Sequence, residues 1–176
     1  VGLKVLRGWC SVDLWMRGEQ FRFVNAHLEE ETAAPIQMLQ ARQLLAMLGK
    51  CKTPVLLAGD FNADPLHRTG VTQTYDLIIA AGFKDAWAVV HPAEFAGGLT
   101  WGHDEFLADP GVGFVWRLDY LFYRGAKLHP VQADVFDLEL ERSAPPLWAS
   151  DHAGLGASLL FQPPPAPPKS NKGHGK

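Results

Sequence analysis

The sequence is short of cysteine, of long apolar runs and of basic charge, and each shortage excludes a class of protein. Two cysteines, Cys10 and Cys51, in 176 residues cannot make a disulfide framework or a four-cysteine zinc site. No apolar run approaches the roughly 18–20 residues that a membrane-spanning helix needs; the longest, at 55–58 and 77–81, are far shorter. The formal net charge is −3, and three of the 16 basic residues (Lys169, Lys172 and Lys176) fall after position 161, so the body is more acidic than the whole. A domain that grips a phosphate backbone by charge alone is basic. A phosphate-handling chain of this composition needs positive charge from elsewhere, and a divalent cation is the natural source.

What is present points to a folded domain. The hydrophobic fraction is 47 %, with ten Phe and six Trp to fill a core, which excludes disorder for the body. The length is that of one domain. The chain opens on Val1 in strand-like text, without a charged leader and small-residue cleavage site, and reads as a piece that begins mid-domain. Two thiols without a framework fit a reducing compartment, so the cytoplasm is the expected location, without excluding export.

The pattern along the chain alternates strands and helices. Residues 11–17 place Val12, Leu14 and Met16 on one face and Asp13, Trp15 and Arg17 on the other; Gly18 follows, and 21–27 is extended again, a hairpin pattern. Pro35 opens a helix with Met38, Ala41, Leu45 and Leu48 at helical spacing and Gly49 as its stop. Residues 54–58 form a continuously apolar run, expected as a strand buried on both faces. A second helix is expected over 72–81, mostly loop over 85–113, and strands over 116–123, 128–136 and 153–161. Residues 162–176 form a Pro-rich, basic, low-complexity tail, expected to be extended and disordered.

Polar residues able to handle metals or protons gather where strands end: Asn25 and His27, Asp60 and Asn62, Arg117 and Asp119, Asp151 and His152. Strand ends in a layered fold tend to meet on one rim. Asp60 and Asn62 share a face if the chain stays extended; Asp supplies a hard oxygen ligand and Asn a neutral donor and acceptor. The structural alternative is a turn with Asx hydrogen bonds. Asp119 interrupts an apolar run and needs a partner. Arg117 is the plain choice, and His152 the sharper one, because a carboxylate on one ring nitrogen raises basicity at the other. Asp151 is suited to a cation and His152 to proton exchange. His27 alone reads as a structural histidine.

Asn25-Ala26-His27-Leu28, Gly59-Asp60-Phe61-Asn62, Arg117-Leu118-Asp119-Tyr120 and Ser150-Asp151-His152 occur in this order. Together they resemble the endonuclease/exonuclease/phosphatase superfamily, which includes DNase I-like nucleases, apurinic-site endonucleases, sphingomyelinases and inositol polyphosphate 5-phosphatases. The resemblance spans about residues 11–161. It implies an α+β fold, a four-layered α/β/β/α sandwich of the DNase I-like type. Residues 1–161 would be the C-terminal part of that domain, lacking its N-terminal strands, together with the upstream Asn and the Glu that serves the family as a principal metal ligand.

It further implies a Mg2+- or Mn2+-dependent attack of water on the phosphorus of a phosphodiester, in a nucleic acid or a phospholipid headgroup. By the resemblance, His152, Asp119, Asp60, Asn62 and His27 are the expected catalytic residues. Asn62, Asn25 and Arg117 are the expected substrate contacts, and Asp151 and Asp60 the expected metal ligands. Sphingomyelinase-like and inositol-phosphatase-like activities stand beside the nuclease reading. The rival from another class is a truncated, non-catalytic member kept as a fold or interaction module.

Overall fold

In the computed structural model, residues 5–68, 70–108, 113–136 and 147–161 are described; the Pro-rich tail expected at 162–176 lies outside them. Seven strands follow in chain order: β1 (Trp9–Met16), β2 (Glu19–His27), β3 (Val55–Asp60), β4 (Lys84–Asp85), β5 (Asp119–Arg124), β6 (Leu128–Phe136) and β7 (Gly154–Phe161). Three helices, α1 (Ala34–Leu48), α2 (Thr74–Ala80) and α3 (Ala86–Val90), lie among them. The strands form a five-stranded sheet in the order β1-β2-β3-β5-β4 and a two-stranded sheet of β6 and β7.

α1 forms because Ala, Leu, Gln, Met and Arg dominate its sequence, all strong helix formers, and Pro35 sits in its first turn where no amide bond is lost. Gly49 closes it, its N–H donating to the Leu45 carbonyl at 2.8 Å. The buried face is Ala34, Gln37, Ala41, Leu44 and Leu48. That stripe is rotated slightly from the expected one, since Met38 and Leu45 are only half-buried. A glutamine in the buried phase is the signal that an apolar count passes over.

β3 is covered on both faces, as its continuous apolar run predicts. Val55 and Leu57 join Val24, Leu44, Leu48, Ile78 and Phe122 in the core beneath α1 and α2. Leu56 turns the other way and packs with Leu121, Tyr123, Leu159 and Phe161 toward β6 and β7. Truncating a wholly buried leucine such as Leu57 costs about 2–5 kcal/mol. The layers described are therefore helices, sheet and sheet, with α3 against β5 and β6; the fourth layer of the expected sandwich is not among the described elements. β1 pairs with β2 antiparallel through all eight residues, yet every one of its residues is exposed. Alternation in β1 marks an apolar face but does not say whether anything covers it. No helix among the described residues is long and apolar enough to cross a membrane.

Candidate active site

Strand register puts three of the expected site residues in one row. β2 runs parallel to β3 with His27 opposite Asp60, and β5 runs antiparallel to β3 with Asp119 opposite Asp60. β2 and β3 end at this row and β5 begins at it, so one rim of the sheet receives an imidazole and two carboxylates. His152 reaches the same rim from the segment before β7. These four side chains, with Asn62 and Asp151, line an open cavity of about 740 Å3.

The turn after β3 is both an Asx turn and part of the site. The chain does not stay extended there: Asn62 has φ 48°, and its N–H donates to Asp60 Oδ1 at 2.8 Å. The Asn62 amide Nδ2 donates to the Leu28 carbonyl at 3.1 Å and lies 3.4 Å from His27 Nε2. Gly59 is required by space and by conformation. Its φ is +139°, and a Cβ there would meet the Ala26 carbonyl oxygen at 1.9 Å. Beneath the turn, the wholly buried Gln37 donates through Nε2 to the carbonyls of Asn62 and Glu29, at 2.7 and 2.8 Å. Its Oε1 accepts from the hydroxyls of Thr72 and Thr74.

His152 Nδ1 lies 2.8 Å from Asp119 Oδ2. An ionised carboxylate only accepts, so the ring carries its proton on Nδ1, and Nε2 is left to exchange one. This settles the partner of Asp119 in favour of His152. The hydrogen bond to Asp119 holds the His152 pKa above the ordinary histidine value; burial opposes the shift, and the charges of Asp119, Asp60 and Asp151 add to it. Burial also raises the Asp60 pKa, with the Asp119 charge adding to the shift, while the Asn62 N–H pulls against it. Ser150 Oγ accepts the His152 N–H at 3.1 Å, and that bend lets both Asp151 and His152 face the cavity. Asp151 Oδ2 accepts from the Trp101 indole N–H at 3.3 Å. The second histidine, His27, sits 3.4 Å from Asp60 Oδ2.

One atom each from Asp60, Asp119 and His152 lie within 4.8 Å of one another, close enough to hold a metal ion. Asp151 lines the same cavity but does not belong to that group.

The structure places two expected substrate contacts, Arg117 and Asn25, outside the lining of this cavity. Arg117 is 1 % exposed and donates to Asp85 Oδ2 at 2.6 Å and to the Phe95 carbonyl at 3.3 Å. It precedes β5, so the strand parity it was expected to share with Asp119 does not apply, and it is buried among Tyr75, Phe95 and Tyr120. Asn25 is exposed on β2, with its amide 3.4 Å from the Ala58 carbonyl, and stands outside the cavity wall. Arg7, which is not among the expected site residues, also lines the cavity. Arg7 donates to the Glu29 carboxylate at 3.1 and 3.4 Å, and its Nη1 lies 3.5 Å from His27 Nε2. Its strand-edge context held no motif to mark it.

The mixed sheets and helices are those of a DNase I-like fold, and the sequence agrees. The Endonuclease/Exonuclease/phosphatase family matches residues 5–152, and the chain belongs to that family. Among solved structures it is similar to an endonuclease/exonuclease/phosphatase family protein from Leptotrichia buccalis, at 20 % identity and TM-score 0.62, covering 87 % of this chain and 54 % of that one. It is also similar to D. rerio TDP2 complexed with a single-strand DNA product, at 20 % identity and TM-score 0.64, covering 87 % and 61 %. A third is the mannosyl-6-phosphatase of Bacteroides thetaiotaomicron, at 24 % identity and TM-score 0.55, covering 82 % and 53 %. At these identities the likeness is one of fold, and the chain spans little more than half the length of these structures. No curated protein matches the sequence.

Proposed function

We propose that this chain is a divalent-metal-dependent phosphoesterase that hydrolyses a phosphodiester by attack of water on phosphorus. The observation behind this reading is the row His27–Asp60–Asp119 across the sheet, with His152 held on Asp119 at 2.8 Å.

The donor set suits a divalent cation. Two carboxylates converge beside an imidazole, and hard carboxylate oxygens fit Mg2+ or Mn2+. The Asp119 charge adds to the burial that raises the Asp60 pKa, and a bound cation would offset both. Asp60 and Asp119 would hold it, with Asp151 a further oxygen donor on the cavity wall. When bound, a divalent cation polarises a phosphoryl oxygen and stabilises the leaving oxyanion.

The residues of the chain do the rest. His152 Nε2 exchanges a proton with water or with the developing oxyanion, and Asp119 keeps the ring in the tautomer that leaves Nε2 facing the cavity. Asn62 Nδ2 and His27 offer hydrogen bonds to phosphoryl oxygens where negative charge builds up. Arg7, paired with Glu29, adds a guanidinium to a lining that also carries Glu30 and Glu31. The nearest functional hint about substrate is that one similar fold was captured with a DNA product, and a nucleic acid is the first substrate to try.

The test is hydrolysis of bis-p-nitrophenyl phosphate by the full chain with Mg2+ or Mn2+, beside plasmid DNA, an abasic duplex and sphingomyelin. The reading expects turnover that chelation abolishes and that His152→Ala lowers by about 10²-fold or more. Turnover unaffected by that substitution contradicts it. A folded chain that hydrolyses none of the four substrates supports the non-catalytic module instead.

A further inference from the structure

Residues 100–102 fall in a stretch expected to be mostly loop, yet they form a short extended rung between the two segments that carry Asp119 and His152. On one side the N–H groups of Thr100 and Trp101 donate to the Trp116 carbonyl at 2.7 and 3.0 Å. Val115 and Trp116 donate back to the Trp101 carbonyl at 2.8 and 3.1 Å. On the other side Trp101 forms a bridge with His152, and the Ala153 N–H donates to the Thr100 carbonyl at 2.7 Å.

The Thr100 side chain closes the arrangement. It is wholly buried, and its Oγ1 accepts from the backbone N–H groups of both Leu118 and Asp119, each at 3.1 Å. A hydroxyl oxygen has two acceptor positions, and both are filled by the two amides that bracket the start of β5. Thr100 thus holds Asp119 directly and His152 through the residue that follows it. Its hydroxyl fixes where Asp119 leaves the chain, and its carbonyl fixes the residue that follows His152.

We infer that Thr100 is a positioning residue for the Asp119–His152 pair, setting the separation of carboxylate and imidazole through two hydrogen bonds to the segment that enters β5 and one to the segment that enters β7. The inference rests on the reading of that pair as the proton-handling group of the site. It follows from the geometry that any hydroxyl able to accept both amides serves, and that an isosteric side chain without an acceptor does not. Valine keeps the volume of threonine and removes the oxygen; serine keeps the oxygen and removes a methyl group.

The experiment compares Thr100→Val and Thr100→Ser with the parent chain by two independent readouts. The first is hydrolysis of bis-p-nitrophenyl phosphate with Mn2+. Thr100→Val is expected to lower kcat by about 10–100-fold, the usual cost of misplacing a reacting group through its support, with KM within about twofold of the parent. Thr100→Ser is expected to restore kcat to within about threefold. The second readout needs no turnover: proton NMR of the metal-free chain follows the downfield Nδ1–H resonance of His152 and the exchange of the Leu118 and Asp119 amides. Thr100→Val is expected to lose the resonance and speed exchange at those two amides by about tenfold or more, and Thr100→Ser to keep both.

A Thr100→Val chain with parental kcat and an intact His152 resonance overturns the inference. So does a serine variant as impaired as the valine one, or a loss of exchange protection spread evenly over β5 and β7. Should Thr100→Val fail to fold, Thr100→Ala removes the same oxygen without added bulk and is read in the same way. A parent chain without turnover overturns the functional reading alone, because the NMR comparison still decides whether Thr100 holds the pair.

Discussion

Asp119 and His152 meet at 2.8 Å with side chains 23 % and 24 % exposed, whereas Asp60 and His27 stand 3.4 Å apart with the histidine 55 % exposed. The two aspartate–histidine pairs share a cavity and are built differently. The second pair needs only the register of neighbouring strands, because β2 and β3 are parallel and end together. The first joins segments that do not pair directly, with the Thr100 rung lying between them. A short, half-buried hydrogen bond to a carboxylate fixes tautomer and ring orientation. A long contact on an exposed ring leaves the side chain free to swing, which suits a group that meets substrate more than one that times a proton transfer.

The contrast predicts a graded series of effects. His152→Ala should cost about 10³-fold in kcat with little change in thermal unfolding, and a loss under tenfold would mean that the tighter pair is not the proton-handling one. Asp119→Asn should cost about 10²-fold and also lower the His152 pKa, measured by NMR titration of the ring. The sign follows from the cause: Asp119 favours the charged imidazole, so removing its charge releases the proton at lower pH. By the same linkage, the contact contributes fully to folding stability below the ordinary histidine value of about 6.5. That contribution is lost as pH rises through the raised folded value.

Gly59→Ala attacks the other pair through its scaffold. The methyl group would collide with the Ala26 carbonyl and force β2 from β3, so denaturant unfolding should report a loss of about 3 kcal/mol or more. His27→Ala should be the mildest, costing no more than about tenfold in kcat, below the 10²–10³-fold typical of a preorganised donor. A larger loss for His27 than for Asp119 would reverse the assignment of roles.

Much of this was legible in the sequence, for local reasons. The run 54–58 announced a doubly buried strand, Pro35 and Gly49 bracketed a helix, and the polar residues at strand ends marked the rim. Asp60, Asn62 and Asp119 could be picked out because each interrupts or ends an apolar run, and His152 because it follows Asp151 just before the last strand. Other features left no such mark. Thr100 and Gln37 act by filling backbone hydrogen-bond positions far away in sequence, and nothing in a threonine or a glutamine announces which amide or carbonyl it will meet. Arg117 misled because a charge two residues from Asp119 reads as its strand neighbour, whereas the strand begins only at Asp119 and the guanidinium turns inward to Asp85. β1 misled in the opposite way, since its alternating apolar face is exposed among the described residues.

The central claim is that Asp60 and Asp119 share a cation site beside the His152 imidazole. Calorimetric titration of the full chain with Mn2+, repeated on Asp60→Asn, tests it most directly. Saturable binding is expected in the parent, weakening by about tenfold or more in the variant. Absence of saturable binding in the parent, or equal binding by the two, would contradict it.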